Sequence, residues 1–532
     1  MNTKHLKAKI LDLAIRGKLV LQDSSEGNAA DLLQKIREEK LSCHPELDSE
    51  SKKKIKADKN SSFIIKADDG RHYEQFADGT LKDIEDEIPC KIPVDWQWTR
   101  LKSISTEILY GVSESAKKEG KYKLLRITDI QNDKVNWSTV PYTDYDEKTV
   151  DQYLLKKGDL VFARTGATVG KSFLINENIE DVIYASYLIR VRPTPQIDSK
   201  YIKYYFQSII YWEQVTDKSL GNGQPNVNGT SLSKLYIPLP PLAEQQRIVS
   251  AIEKAFEQID IIEKNKLNLK TYIKQTKAKV LDLAIHGKLV EQNPQEGNAF
   301  ELLEKIRNEK EELFKQKKLK EDKKSSFIIK ADDGKHYEQF ADGTLKDIED
   351  EIPFEIPESW CWCRLRNITT ILGDGLHGTP KYNKNGNYYF INGNNLENGK
   401  IIIKPDTQKI DDDEYQKYKK DLNENTVLVS INGTVGNIAF YNNEKIILGK
   451  SACYFNLVSS SFKNYIYLLV KTSFFLVYAT TNATGSTIKN VSLDTMRNFL
   501  FPLPPLAEQQ RIVEKIEQIF AQLDILEKSL GE

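Results

Sequence analysis

From Ile248 onward, apolar residues recur at alternating steps of four and three. One seam holds Ile248, Ala255, Ile262, Leu269, Thr276 and Leu283; the other holds Ile252, Ile259, Lys266, Ile273 and Val280. Nine of these eleven positions are apolar, a heptad pattern that predicts one continuous helix. Across 248–283 it would run about 54 Å at 1.5 Å per residue. A compact domain does not need that length; a spacer does. The helix is introduced by PLPPLAEQQRIV at 238–249, whose prolines end an extended segment and can sit at a helix entrance. The same twelve residues return at 502–513, followed by a seam at Ile512, Ile516, Ile519, Leu523, Leu526 and Leu530. The stretch this copy lacks, KAKVLDLAIHGKLV at 277–290, has its counterpart KAKILDLAIRGKLV at 7–20, with Ile10 and Leu13 on the seam. One spacer helix is therefore continuous and its twin is divided between the chain ends. The ends are expected to meet beside the central helix and close a pseudo-twofold ring.

The repetition extends further. SSFIIKADDGRHYEQFADGTLKDIEDEIP at 61–89 returns at 325–353 with one change in 29 positions, Arg71 against Lys335. This pair and the PLPPLAEQQRIV pair share an offset of 264, and the 7–20 pair is offset by 270. Such a period is far too long for a solenoid and marks a duplicated two-domain unit. Between the copies, residues 97–237 and 361–501 match in length but share only sparse features. One is a Gly-Thr-Val-Gly pattern, Gly166-Ala167-Thr168-Val169-Gly170 against Gly433-Thr434-Val435-Gly436. The other is an aromatic, helix-like stretch, YIKYYFQSIIYW at 201–212 against NYIYLLVKTSFF at 464–475. A framework copied almost whole around two divergent inserts suggests one partner met twice and two different things recognised.

The expected organisation is an N-terminal helical region (1–60), a framework repeat (61–96), a first variable domain (97–237) and a central spacer helix (238–290). A charged helical linker (291–324), a second framework repeat (325–360), a second variable domain (361–501) and a C-terminal spacer helix (502–532) follow.

The chain carries 76 basic and 77 acidic side chains, a balance that argues against a generally basic binder. The distribution is uneven. Residues 97–237 hold 19 basic and 16 acidic side chains, residues 363–501 hold 16 and 11, and the rest holds 41 and 50. The variable domains are thus cationic, by +3 and +5, on a frame of −9, as a phosphate-facing surface requires. Five scattered cysteines, an odd number, do not make a disulfide framework and point to a reducing cytoplasm. No apolar run is long enough to span a membrane, and the first twenty residues lack a signal-peptide core.

Catalytic and cofactor motifs fail on inspection. GATVGKS at 166–172 resembles a phosphate-binding loop, but the spacing requires glycine at 165, which is Thr165. The second copy lacks the lysine, so a turn shared between strands is the better reading. Cys361 and Cys363 have no second pair, and Gln97 and Thr99 stand in their places in the first copy, which argues against zinc. The Pro-Pro pairs lack the preceding Asn or Asp of an amino-methyltransferase motif, and no GxGxxG or HExxH occurs. His72 and His336 read as framework surface or partner contact. No constellation forms an active site.

The two divergent inserts, the two PLPPLAEQQRIV-led helices and this lack of catalysis point to one family. The chain resembles the specificity (S) subunit of type I restriction-modification systems over nearly its full length. The most specific elements are IPLPPLAEQQRIV at 237–249 and FPLPPLAEQQRIV at 501–513, IPVDWQWTRL at 92–101 with IPESWCWCRL at 356–365, and GDLVFARTGATVG at 158–170. The resemblance implies an α+β chain of two globular target-recognition domains separated by two long antiparallel coiled-coil helices in a pseudo-twofold circular arrangement. It further implies that each domain reads half of a bipartite target in double-stranded DNA. Two methyltransferase (modification) subunits and the restriction subunits would be partners, and S-adenosylmethionine, ATP and Mg2+ would belong to them. The near-identical 61–93 and 325–357 segments fit either partner docking or packing against the recognition domains.

Loop residues that can reach phosphates or base edges are the DNA-binding candidates. In the first domain these are Arg164, Thr165, Thr168 and Lys171, with Asn222, Gln224, Asn226 and Asn228 of GNGQPNVNG. In the second they are His377, Lys381, Tyr382, Asn394, Asn395, Asn432 and Thr434, with Thr484, Ser486, Lys489 and Asn490. Helix packing is expected from Ile248, Ile252, Ile259, Ile262, Leu269, Ile273, Val280, Leu283, Ile512, Ile516, Leu523, Leu526, Ile10 and Leu13. A non-DNA scaffold, with two ligand-binding heads on a coiled-coil ruler docking protein partners, remains open at this point. A self-sufficient nuclease or methyltransferase lacks the motifs.

The ring makes a direct prediction. Chains that start near residue 265 and join Glu532 to Met1 should fold, as judged by circular dichroism and cooperative melting. Failure of every such permutant would contradict it.

Overall fold

The computed structural model describes residues 2–42, 62–165, 168–219, 227–319, 325–485 and 489–531. The chain divides into two units, Met1–Asn265 and Lys266–Glu532. The division falls within a single helix, Leu242–Ile285, of 44 residues and about 66 Å. The first half of that helix belongs to one unit and the second half to the other.

Each unit contains an antiparallel helix pair made from the repeated sequences. In unit 1, helix Thr3–Ile15 is capped by Asn2, whose side chain accepts from the His5 N–H. Thr3 Oγ1 donates to Glu263, and Lys7 pairs with Asp260 at 2.6 Å. In unit 2, Lys277 pairs with Asp524 at 2.5 Å, and helix Leu506–Gly531 lies beside the long helix. Lys277 stands where Lys7 stood and Asp524 where Asp260 stood, so this ion pair recurs, while Ile273 replaces Thr3 and its hydrogen bond does not recur.

Below each pair the PLPPLAEQQR motif clamps three segments together. Strand Tyr236–Leu239 stops at the prolines, and the helix begins at Leu242. Two residues into the helix, buried Glu244 accepts from the Trp96 indole at 2.9 Å and from Gln22 Nε2 at 2.7 Å. Burial pushes its carboxyl above the usual carboxylate range, and the indole, the Gln22 amide and Arg247 offset part of that shift. Arg247 forms a two-pronged pair with Glu26 at 2.7 Å and caps the Leu21 carbonyl. In unit 2, Glu508 accepts from Trp360 at 2.9 Å and Gln292 at 2.6 Å, and Arg511 holds Glu296 at 2.8 Å. The RGKL and HGKL turns enter this clamp through Gly17 and Gly287, at φ +67° and +66°. A Cβ at either would lie 2.3 Å from the ring of Pro93 or Pro357, so only glycine fits.

The variable domain of each unit is a pair of small sheets. In unit 1 the antiparallel order is Ser172–Leu174, Leu160–Ala163, Leu188–Pro193, Ser105–Tyr110. Beside it, Tyr122–Leu125 runs parallel to Val182–Tyr184 and antiparallel to Tyr142–Thr143. Unit 2 repeats the order with Ile438–Phe440, Thr426–Ser430, Ala452–Leu457 and Thr369–Asp374, and with Ile446–Leu448, Tyr388–Ile391 and Lys409–Ile410. The aromatic stretch forms two short helices in each head, Ser199–Tyr205 and Ile209–Ser219, then Lys463–Lys471 and Ser473–Thr481. Their tyrosines fill the core and find carbonyl acceptors: Tyr201 on Pro238 at 2.6 Å and Tyr465 on Pro502 at 2.7 Å. Burial drives both phenols well above their ordinary range, so they serve as packed donors. Ile248 and Ile252 of the long helix join the same core.

The framework repeats are three-stranded antiparallel meanders, Ser62–Lys66, His72–Phe76 and Leu81–Asp83, with a twin at Ser326–Lys330, His336–Phe340 and Leu345–Asp347. The inner face of the first packs on Trp98 and Tyr236 through Ile64 and Ile84. It is pinned by the Arg100–Glu74 ion pair at 2.6 Å, repeated as Arg364–Glu338 at 2.7 Å. Burial alone would raise these carboxyls; the arginine and serine hydrogen bonds outweigh it and hold both below the usual range.

Several expectations need correction. The charged 291–324 segment is no linker throughout. Helix Ala299–Lys315 buries Ala299 and Ile306 in the core of unit 2, and Lys310 Nζ donates to the Arg366 carbonyl at 2.8 Å. Along the seam, Ile248, Ile252, Ile259, Ile273, Val280, Ile512 and Ile516 are buried, and Leu283, Leu523, Ile10 and Leu13 are half-buried. Ile262, Leu269 and Leu526 are instead exposed, by 37%, 47% and 55%. The physical reason in unit 1 is length. Its partner helix starts at Thr3, beside Glu263, so the heptad pattern outruns the helix that could cover it.

Because the two clamps have the same bonds, their carboxylates should matter equally. Glu244→Ala leaves the Trp96 and Gln22 donors without an acceptor, at about 1–3 kcal/mol for each buried group. Glu508→Ala should cost the same within error. Urea unfolding of the two variants checks this, and a large difference would show that the clamps are not equivalent.

Candidate nucleic-acid interface

The ends of the sheet strands bring the loops together. In the first head the turn after Leu160–Ala163 closes by Gly170 N–H on Ala163 C=O and Ala163 N–H on Lys171 C=O, both 2.9 Å. The Arg164 N–H donates to Tyr187 C=O at 3.0 Å, and Val227 N–H donates to Arg164 C=O at 3.1 Å. Three loops therefore meet on the backbone of Arg164. Its guanidinium lies 5.1 Å from the centre of the Tyr110 ring, within cation–π range, and its Nε is enclosed without a partner. The Tyr110 hydroxyl in turn accepts from the Gly229 N–H at 2.8 Å, tying down the late loop. Tyr110 is 38% exposed and Tyr187 61%. The result is a cation on an aromatic shelf, at a surface with further aromatic area.

The second head has the same junction with different chemistry. Ile431 N–H donates to Ser451 C=O at 3.0 Å, and Val491 N–H donates to Ile431 C=O at 2.8 Å. Buried Ile431 stands where Arg164 stood. Asn432 Nδ2 donates to Asn490 Oδ1 at 3.2 Å, and Thr484 and Asn490 exchange backbone hydrogen bonds at 2.9 Å. Strand register places Asp374 opposite Cys453, as Tyr110 is opposite Ile189. His377 Nε2 bonds the Asp374 carboxylate at this strand end.

Placement of the candidates follows. Arg164, Thr165, Thr168 and Lys171 share one turn. Asn228 lies beside it, but its side chain caps helix Gly229–Ser233, accepting from Ser231 N–H at 2.8 Å. Asn222, Gln224, Asn226 and Ser486 lie outside the described residues. Asn432, Thr434, Thr484, Lys489 and Asn490 cluster or flank one another at the junction of the second head. The Gly393–Asn395 loop also touches it, since a Cβ on Gly393 would lie 2.1 Å from Ser430 Oγ. Asn394 on that loop is exposed. Asn395 is a correction: it is 5% exposed, and its amide accepts from Asn392 N–H and donates to Ile402 C=O and Thr407 Oγ1. With those bonds made, it holds the loop and has no amide face for a ligand. His377, Lys381 and Tyr382 are exposed on the loop after the strand end. The sequence reading missed Tyr110 and Tyr187. The available signal was internal: at matched positions the second copy has Asp374 and Ser451.

A family model described as "Type I restriction modification DNA specificity domain" matches residues 93–271 and 357–532. The chain belongs to that family. Both matched segments hold one variable head and one PLPPLAEQQR helix. The EcoAI specificity subunit of Escherichia coli is 25% identical, over 97% of this chain and 88% of its own. The EcoEI specificity subunit of the same species is 22% identical, over 99% and 90%. A solved structure from work titled "Structural basis underlying complex assembly and conformational transition of the type I R-M system" matches at TM-score 0.51 and 18% identity. It covers 83% of this chain and 94% of that one, so the two chains share a fold. Among the described residues, no helix is long and apolar enough to cross a membrane, and no group of three or more His, Cys, Asp or Glu is placed to hold a metal.

Candidates presented at the junction and candidates consumed by their own loop should separate experimentally. Arg164→Ala should weaken duplex binding by about 1–3 kcal/mol and leave the melting temperature unchanged. Asn395→Ala should lower the melting temperature, because it orphans buried backbone partners. Fluorescence anisotropy and calorimetry on both variants check the division.

Proposed function

We propose that this chain is the sequence-reading subunit of a type I restriction-modification complex and that each head reads one half of a bipartite, asymmetric target in double-stranded DNA. It is non-catalytic. In this reading two methyltransferase subunits and the restriction subunits assemble on it and supply the chemistry, with S-adenosylmethionine, ATP and Mg2+ bound to them, in the cytoplasm.

One observation carries the reading. Both heads use the same strand order and bring the same loops to the same junction, yet the residues presented there differ in kind. The first head presents Arg164 with Tyr110 and Tyr187, and the second presents Asn432, Asn490 and Asp374–His377 at the equivalent junction. An arginine suits the paired acceptors of guanine, and asparagine suits the donor–acceptor pair of adenine. A shared scaffold with unlike reading residues is what an asymmetric target requires. The cationic excess of both heads over the acidic frame agrees with phosphate contact. Each good base contact is worth about 1–3 kcal/mol, so two linked heads reach a selectivity that one head cannot.

Replacing residues 97–237 with the equivalent domain of another specificity subunit tests the modular reading. Methylation mapping in cells expressing the chimera with its partners should show one half-site changed and the other retained. A change in both halves would refute independent heads.

A further inference from the structure

The inner face of each duplicated meander is packed within its unit, and among the described residues its outer face is covered only in part. Buried Ile64 and Glu74 define the inner face. Side chains alternate across a strand, so Phe63, Ile65, Tyr73 and Gln75 point outward. The register sets Gln75 opposite Leu81 and Tyr73 opposite Asp83. Helix Ala29–Ser42 covers one corner, with the Arg37 guanidinium 4.0 Å from the Phe63 ring. The outward face thus carries two cross-strand rows, Phe63–Gln75–Leu81 and Ile65–Tyr73–Asp83, and Leu81 is 55% exposed. Leu345 in the twin is 54% exposed.

What packing requires does not explain how closely the two meanders match. The residues beneath the inner faces differ: Tyr236 in one copy is Leu500 in the other, and Cys90 is Phe354. The outward residues are identical in both copies. The one change in the segment, Arg71 to Lys335, keeps its ion pair, with Asp83 in one and Asp347 in the other. A surface held constant over a changing base is constrained by what lies on its outer side. Each segment also carries three basic and eight acidic side chains, which repels DNA and favours a cationic protein.

We propose that the outward faces centred on Leu81 and Leu345 are two equivalent docking sites for two copies of one protein whose contact surface is basic with an apolar centre. This rests on the functional reading above, in which the modification subunit is that protein. The acidic rim, Asp69 and Asp83 in one copy and Asp333 and Asp347 in the other, sets its orientation.

The test uses the full chain, purified modification subunit and native mass spectrometry, with Leu81→Lys, Leu345→Lys and the double variant. Both leucines are exposed, and unchanged melting confirms that the variants fold. The wild-type chain should take up two modification subunits. Each single variant should take up one under the same conditions, with at least tenfold weaker binding of the second, and the double variant none. A double variant that retains two subunits at wild-type affinity overturns the docking faces and leaves the functional reading standing. A wild-type chain that takes up none overturns the functional reading itself.

Discussion

A single buried carboxylate organises each half of the molecule. Glu244 joins the start of the long helix to Trp96 at the base of the head and to Gln22 beyond the N-terminal helix. Glu508 makes the same joints with Trp360 and Gln292. Hydrogen bonds to a charged acceptor are strong, and in a site closed to water their loss is costly. This explains why a twelve-residue phrase recurs unchanged. Its prolines end the strand, its glutamate fixes the indole, its arginine holds Glu26 or Glu296, and its isoleucine enters the core. These contacts join each head to its helix.

With the base fixed, the head surfaces are free to differ. The register of the strand ends is the same in both heads, but an aromatic shelf under an arginine in one gives way to an asparagine pair and an aspartate–histidine pair in the other. The backbone junction persists because carbonyls and amides supply it, independent of side-chain identity. Recognition chemistry can therefore change without disturbing the fold, which places variation at the loops and constancy in the clamp.

Much of this was legible in the sequence because it is written in repeats and in periodicity. The long helix, the antiparallel pairs and the turn at Gly433–Gly436 followed from pattern alone, since backbone geometry dictates them. The heptad seam misled at Ile262, Leu269 and Leu526, because periodicity reports a potential face and not whether a partner helix reaches it. Composition also misled at 291–324: most charges of helix Ala299–Lys315 lie on its outer side, while Ala299, Leu302, Leu303 and Ile306 pack it on the core. Among site residues, polarity could not distinguish Asn395, consumed by its own loop, from exposed Asn394. Tyr110 looked like an ordinary strand residue. Its role appears only when the strand end, the Arg164 turn and Gly229 are brought together in space.

The central claim is that a duplicated frame presents two independent readers. It is tested most directly by making the readers identical as well, with residues 361–501 replaced by a second copy of 97–237. Methylation mapping of cells carrying this chain and its partners should then reveal a target with two identical half-sites, both matching the half read by the first head. A target that keeps two unlike halves would contradict the account.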